Sequence, residues 1–305
     1  MKKLHSQSVL KRGIVGIAAV VLAALCGGAT TQAHKAPDVA APAGLHWKLT
    51  WSDQFNRGAA NLKGWHYDLG GGGWGNGESE VYTHAKKNVY VSHGKLHIVV
   101  IGKKVHGKVH YTSGRITTRN VFSQKFGLFE FRARLPHGTG LWPAIWMMPE
   151  KSAFGSWPQS GEIDIMESRG NGLHQVQGSL HSGNAADRDN CQTKVYALPR
   201  HQVTTGWHTY ALEWEPVADP ANPAVRKVQI KWFVDGHLYE TQQGGWTVPS
   251  AAGTGHPNAP FNQSFYIILN MAVGGNYVAG KTPGPGRYAM EVNYIRAYAL
   301  ARRGH

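Results

Sequence analysis

The 305-residue chain is 42% hydrophobic and only 16% charged, with 38 glycines, 15 prolines and 11 tryptophans. That composition excludes a disordered chain, a collagen and a coiled coil. The formal net charge of +14 comes from 32 Lys and Arg against 18 Asp and Glu, so acids are scarce and any cluster of them is conspicuous.

At the N-terminus, Lys2, Lys3, Lys11 and Arg12 form a basic region, Ile14 to Leu25 an apolar one, and Thr31-Gln32-Ala33 a small-residue cleavage site. Residues 1–33 read as a secretory signal peptide, so the mature chain is expected to be secreted or periplasmic. The apolar stretch is too short for a comfortable transmembrane span and nothing later is longer, so no membrane contact is expected of the mature form. Cys26 follows an apolar segment as an acylated cysteine does, but Leu25 stands where that signal wants a small residue. Cleavage after Ala33 leaves Cys191 as a lone thiol without a disulfide partner. Residues 34–44 form a Pro/Ala-rich leader.

From Trp47 onward, strand-like segments recur at Asn88 to Val91, Lys95 to Ile101, Gly114 to Thr118, Gly127 to Leu135, Leu141 to Met148 and Glu162 to Glu167. They continue at Val176 to His181, His208 to Trp214, Val228 to Val234, Phe265 to Met271 and Ala289 to Tyr298. Turn signals such as His93-Gly94, His137-Gly138 and Asp235-Gly236 separate them. No long 3.6-residue period and no internal repeat occurs. One all-β sandwich over residues 45–300 is predicted, with residues 301–305 as a basic tail.

Gly70 to Gly75 satisfies G-x-G-x-x-G, but no helix-like segment follows to receive a pyrophosphate, so a glycine-rich turn that lets backbone approach a ligand is expected instead. The pairs His93/His97 and His106/His110 have helical spacing in strand and turn context, and read as surface histidines. No metal-ligand set is assigned. No run of Lys and Arg interleaved with aromatics marks a nucleic-acid surface, so nucleic acid is not an expected partner.

The sharpest feature is Gly161-Glu162-Ile163-Asp164-Ile165-Met166-Glu167-Ser168, with three of the acids in six residues. Plain alternation, as on a solvated strand, sends Glu167 to the face opposite Glu162 and Asp164. A one-residue bulge near Met166 puts all three on one face. Two carboxyl groups converging on one sugar suit retaining glycoside hydrolysis, one attacking the anomeric carbon and the other protonating the leaving oxygen. Just upstream, Trp142 and Trp146 stand four apart on a strand and point the same way, as a platform for the C–H faces of sugars would, or as core packing.

With Trp51 to Phe55, Gly72 to Glu78, Ser113 to Ile116, Trp232 to Gly236 and Leu269 to Gly275 added, the sequence resembles the family 16 glycoside hydrolases of bacterial laminarinase-like, endo-β-1,3-glucanase type over nearly all of residues 45–300. The resemblance implies a concanavalin-like β-jelly roll with an open cleft on its concave face. It implies Glu162 as nucleophile, Glu167 as general acid/base and Asp164 as the residue that tunes the nucleophile. It also implies Trp142, Trp146, Arg115, Asn76 and His181 as sugar contacts. Relatives often hold a structural calcium through a C-terminal Asp; here Asn293 stands there, and an amide weakens a hard-cation site. No cofactor is required, a structural calcium is not expected, and the partner is a β-glucan polysaccharide, β-1,3 or mixed β-1,3-1,4, met by a monomer. Transglycosylation by the same residues, a non-catalytic carbohydrate-binding sandwich and galactan cleavage stay open as rivals. The loop from Ser182 to Leu198, with Cys191, matches no pattern.

Overall fold

In a computed structural model of the chain, residues 37–56, 62–183, 188–219, 221–244, 246 and 258–302 are described. The signal peptide over 1–33 lies outside them. Among the described residues are eighteen strands, in chain order β1 Leu45–Asp53, β2 His66–Tyr67, β3 Glu80–Tyr82, β4 Val89–Ser92, β5 Lys95–Val105 and β6 Lys108–Ser113. They continue as β7 Arg115–Thr117, β8 Ser123–Gln124, β9 Gly127–Arg134, β10 Leu141–Pro149, β11 Glu162–Glu167 and β12 Gln175–Gly183. The last six are β13 Asp189–Ala197, β14 His208–Asp219, β15 Asn222–Val234, β16 His237–Gln243, β17 Phe265–Val273 and β18 Gly286–Arg302. One 3-10 turn, Asn276–Val278, is the only helical element among the described residues.

Two sheets form the expected β-sandwich. The larger runs β16-β15-β14-β9-β18-β5-β6-β3, with β1 also on β18 and β4 also on β5. The smaller runs β13-β12-β11-β10-β17-β7-β2, with β8 also on β17. All pairings are antiparallel except β3 with β6. Period-two alternation sets what each strand buries. On β10, Leu141, Ile145 and Met147 enter the core, while Trp142, Ala144, Trp146 and Met148 face out of the smaller sheet. His93-Gly94 and Asp235-Gly236 turn as expected, each with two successive residues at positive φ, as does His106-Gly107; at His137-Gly138 neither residue has positive φ, which falls instead on Gly140.

Every strand expected from the sequence is found. The unforeseen ones are short or lie at sheet margins, where little burial is available to write a pattern: β13 is exposed at eight of nine positions. The segment read as a loop over 182–198 is corrected: Ser182 and Gly183 end β12 and Asp189–Ala197 form strand β13, paired with β12 from Gln175↔Ala197 to Gly183↔Asp189, while 184–187 lie outside the described residues. The leader is corrected as well. Val39 is buried against Leu128, Ala211, Phe233 and Tyr298, and its carbonyl accepts from Trp47 Nε1 at 3.1 Å. Two residues of the assigned tail, Ala301 and Arg302, continue β18. The His93/His97 and His106/His110 pairs are split between turn and strand, and His97, read as a surface histidine, is instead buried and stacked on Tyr90 at 4.5 Å.

The bulge expected near Met166 is present. Asp164 pairs with Ser179 and Glu167 with Gln177, so Ile165 and Met166 together oppose Gly178. On the other side, Ile145 faces Met166 and Trp146 faces Asp164, which leaves Ile165 as the extra residue. Ile163, Ile165 and Met166 all enter the core, while Glu162, Asp164 and Glu167 share the outer face. Trp232, fully buried on β15 of the other sheet, donates its indole N–H to the Asp164 carbonyl at 2.9 Å. Its ring fills the space beneath Gly178, where a Cβ would lie 2.5 Å from Trp232 Cδ1 and 2.7 Å from the Tyr239 hydroxyl.

Gly178→Ala should therefore overpack the bulge. We expect a loss of about 1–3 kcal/mol in stability, read by urea denaturation, together with displacement of the carboxylates above it; an unchanged midpoint would show that Trp232 yields freely.

Candidate active site

The outer face of the smaller sheet holds a cleft of about 510 Å³, well within the range of small-ligand sites. All eight residues singled out in the sequence line it: Glu162, Asp164, Glu167, Asn76, Arg115, Trp142, Trp146 and His181. Register brings them together. Glu162 faces His181 across the β11–β12 pair, and His181 faces Cys191 across β12–β13. On the other flank Ala144 faces Glu167 and Trp146 faces Asp164.

Each carboxylate has distinct partners. Glu162 accepts from Trp157 Nε1 at 2.9 Å. Glu167 accepts from Trp142 Nε1 at 2.8 Å and has Ser179 Oγ at 3.4 Å. Asp164 lies 3.2 Å from His181 Nε2, and Glu162 lies 3.9 Å from the same nitrogen. His181 Nδ1 is 2.8 Å from Asp189 Oδ2. The imidazole is thus ringed by carboxylates at one end of the cluster, and Glu167 stands at the other.

Electrostatics follow from that asymmetry. Burial, then the Asp164 charge, pushes Glu167 up to about 8. The same two causes raise Glu162. Burial opposes the charged form of His181, but hydrogen bonds to Asp164 and Cys191 and the charges of Asp164 and Glu162 outweigh it and raise its pKa. A cationic ring next to Glu162 and Asp164 offsets their negative charge. Glu167 accepts from Trp142 and Ser179 and feels the His181 charge as well, and with both glutamates raised by burial and by Asp164 the crowded carboxylates hold a proton among them.

Aromatic rings set the walls. The Arg115 guanidinium lies between the rings of Trp74 at 4.6 Å and Trp146 at 4.8 Å, with its Nε bonded to Asp68 at 3.0 Å. Trp142 stacks on Tyr277 at 4.8 Å. Beneath, a chain of hydrogen bonds runs from Trp146 Nε1 to Asn270 and from Asn270 Nδ2 to the Tyr82 hydroxyl; Tyr82 and Asn76 each donate to Glu78. Glu80, beside it, is pushed up to about 8 by burial and by Glu78. The glycine-rich segment is a turn, as expected, and it presents Trp74 to the cleft.

Trp157, Tyr277, Asn270, Asp189 and Cys191 were not foreseen as cleft residues. Trp157 and Tyr277 lie outside the strands, where no period gives a direction. Asn270 could have been found, since it breaks the apolar run of β17 on the same parity as Ala272, another cleft residue. Asn293, where calcium was weighed, sits at a register shift in β18 between Val292 and Tyr294.

Comparison with known proteins agrees with this geometry. The family described as "Glycosyl hydrolases family 16" matches residues 76–269. A "Beta-glucanase" of Rhodothermus marinus is 38% identical over 83% of this chain and 85% of its own length. A "Glucan endo-1,3-beta-glucosidase A1" of Niallia circulans is 37% identical over 84% of this chain, which spans only 38% of that longer protein. The crystallised laminarinase from Rhodothermus marinus superposes with a TM-score of 0.69 at 35% identity, covering 84% of this chain and 99% of that one. The two-sheet sandwich is accordingly a jelly roll of that kind.

The Trp142 indole favours the ionised form of Glu167. Trp142→Phe removes that donor, so the Glu167 carboxyl should titrate above about 8, measured by carbon NMR on glutamate labelled at the carboxyl. A downward movement would contradict the assigned contact.

Proposed function

The chain belongs to glycosyl hydrolase family 16 and is a glycoside hydrolase, and from that membership we propose a secreted, endo-acting β-1,3-glucanase that works with retention. Laminarin-type β-1,3-glucan is the proposed substrate, with mixed β-1,3-1,4-glucan as the extension. The observation that carries the reading is one cleft in which Glu162 and Glu167 share a face but not an environment. Secretion rests on the sequence of residues 1–33.

In the proposed mechanism a Glu162 oxygen attacks the anomeric carbon as the glycosidic C–O bond breaks. The leaving oxygen takes the Glu167 proton. A water then gives its proton to the Glu167 carboxylate and its oxygen to the anomeric carbon, which expels Glu162. His181 and Trp157 hold Glu162 ready for attack, and Asp164 keeps the ring charged. Trp142 and Trp146 supply flat surfaces for sugar C–H faces, and Arg115 and Asn76 offer polar contacts. No cofactor enters these steps, and the amide at Asn293 argues against a tightly bound structural calcium.

Reducing-sugar release on laminarin, lichenan, agarose and xyloglucan tests the substrate. The anomer first released, followed by proton NMR, tests retention, and product analysis at high laminarin concentration measures transfer to sugar acceptors. Activity on agarose alone would overturn the reading.

Glu162→Ala should fold and lose about three orders of magnitude or more in kcat, because the covalent step is gone. Activity within tenfold of the parent would remove Glu162 from the role.

Glu167 must be protonated to act as acid, so kcat/KM should fall as pH rises through about 8. Glu167→Ala should lose that alkaline limb yet keep turnover on aryl glycosides, whose leaving groups need little protonation. Equal damage to polysaccharide and aryl substrates would count against it.

A further inference from the structure

We propose that the cleft carries a site for a borderline-soft divalent cation of the Zn²⁺ class, formed by His181 Nε2, Cys191 Sγ and the carboxylates of Asp164 and Glu162, through which the ion reversibly blocks hydrolysis. The site stands on geometry alone; its inhibitory consequence rests on the glucanase reading above. Strand register builds it. Glu162, His181 and Cys191 form one cross-strand row over β11, β12 and β13. Asp164 is two residues along β11 and Asp189 two residues along β13, on the same faces.

His181 joins two groups of ligand atoms, each mutually within 4.8 Å, one with Glu162 and Asp164 and one with Asp189 and Cys191. Around His181 Nε2 lie Asp164 Oδ2 at 3.2 Å, Cys191 Sγ at 3.7 Å and Glu162 Oε1 at 3.9 Å. With ordinary zinc bonds to nitrogen, oxygen and sulfur, neighbouring ligand atoms are roughly 3.3–3.6 Å apart. The site closes when the exposed Cys191 side chain swings toward Glu162 and Asp164. The other ring nitrogen, Nδ1, is 2.8 Å from the Asp189 carboxylate, the arrangement that orients a ligating histidine and strengthens its basicity. Cys191 is a free, exposed thiol on an edge strand, so an ion reaches the row from solvent. Sulfur and imidazole select zinc, cobalt or copper over calcium and magnesium. Binding expels the thiol proton and any proton on Nε2, and it draws the proposed nucleophile into the coordination shell.

The test is titration of the full chain with Co²⁺ and Zn²⁺ without substrate. One Co²⁺ per chain should bind, with a thiolate-to-cobalt charge-transfer absorption that Cys191→Ser abolishes. Zn²⁺ affinity by calorimetry should fall about 10–100-fold in Asp189→Asn. Zn²⁺ should inhibit laminarin hydrolysis, a chelator should restore it, and Cys191→Ser should need at least tenfold more Zn²⁺ for the same fractional loss. Absence of the charge-transfer band in the parent, or equal Zn²⁺ sensitivity in Cys191→Ser, overturns the proposal. A band and stoichiometric binding in a chain that cleaves no glucan would keep the metal site and overturn the glucanase reading.

Discussion

The hydrogen bond from the Trp232 indole to the Asp164 carbonyl is the contact on which the site depends. A bulge disturbs the ladder, and a buried carbonyl at such a point needs a partner. Here the opposite sheet supplies it, and the same indole occupies the space that Gly178 leaves open on the neighbouring strand. Core packing and catalytic geometry are thus one feature. The extra residue at Ile165 lets two consecutive apolar side chains enter the core and returns Glu167 to the face of Glu162 and Asp164. Without that insertion, alternation would bury Glu167 among Val176, Leu180 and the other core side chains or turn its partners inward.

Placing three carboxylates in a half-dry cleft creates an electrostatic problem that the remaining residues resolve unequally. Like charges in low dielectric cannot all ionise. His181, opposite Glu162 and bonded toward Asp164, offsets negative charge at one end. Trp142 and Ser179 give Glu167 neutral donors only. Both glutamates are pushed toward the protonated form, but their partners differ: Glu162 lies beside the imidazole and Glu167 beside indole and hydroxyl donors. The Asp189 and Cys191 side chains of β13 extend this arrangement by one strand, which is why the histidine meets both a third carboxylate and a thiol.

The cleft walls follow the same economy of position. Arg115 is held against two tryptophan rings and tied at Nε by Asp68, so its guanidinium is positioned before any ligand arrives. Preorganisation of this kind lowers the entropy lost on binding. The chain from Trp146 through Asn270 and Tyr82 to Glu78 fixes the platform from below with each donor matched to an acceptor.

Much of this was legible from residues alone. The strand reading of Leu141 to Met148 put Trp142 and Trp146 on one face, because a strand has only two, and the structure decided that this face is the outer one. The spacing of Glu162, Asp164 and Glu167 demanded a bulge once all three were asked to act together, and the family motifs pointed to the cleft's main residues. Strand β13 was hidden because an exposed edge strand buries almost nothing and so writes no period. Trp157 and Tyr277 were hidden because loop direction is set by distant contacts. The involvement of Asp189 and Cys191 depended on register between strands, a quantity that no single strand's sequence contains. The partner of the bulge, Trp232, sits 68 residues from Asp164 in the chain, and only the stacking of one sheet on the other could decide that they meet.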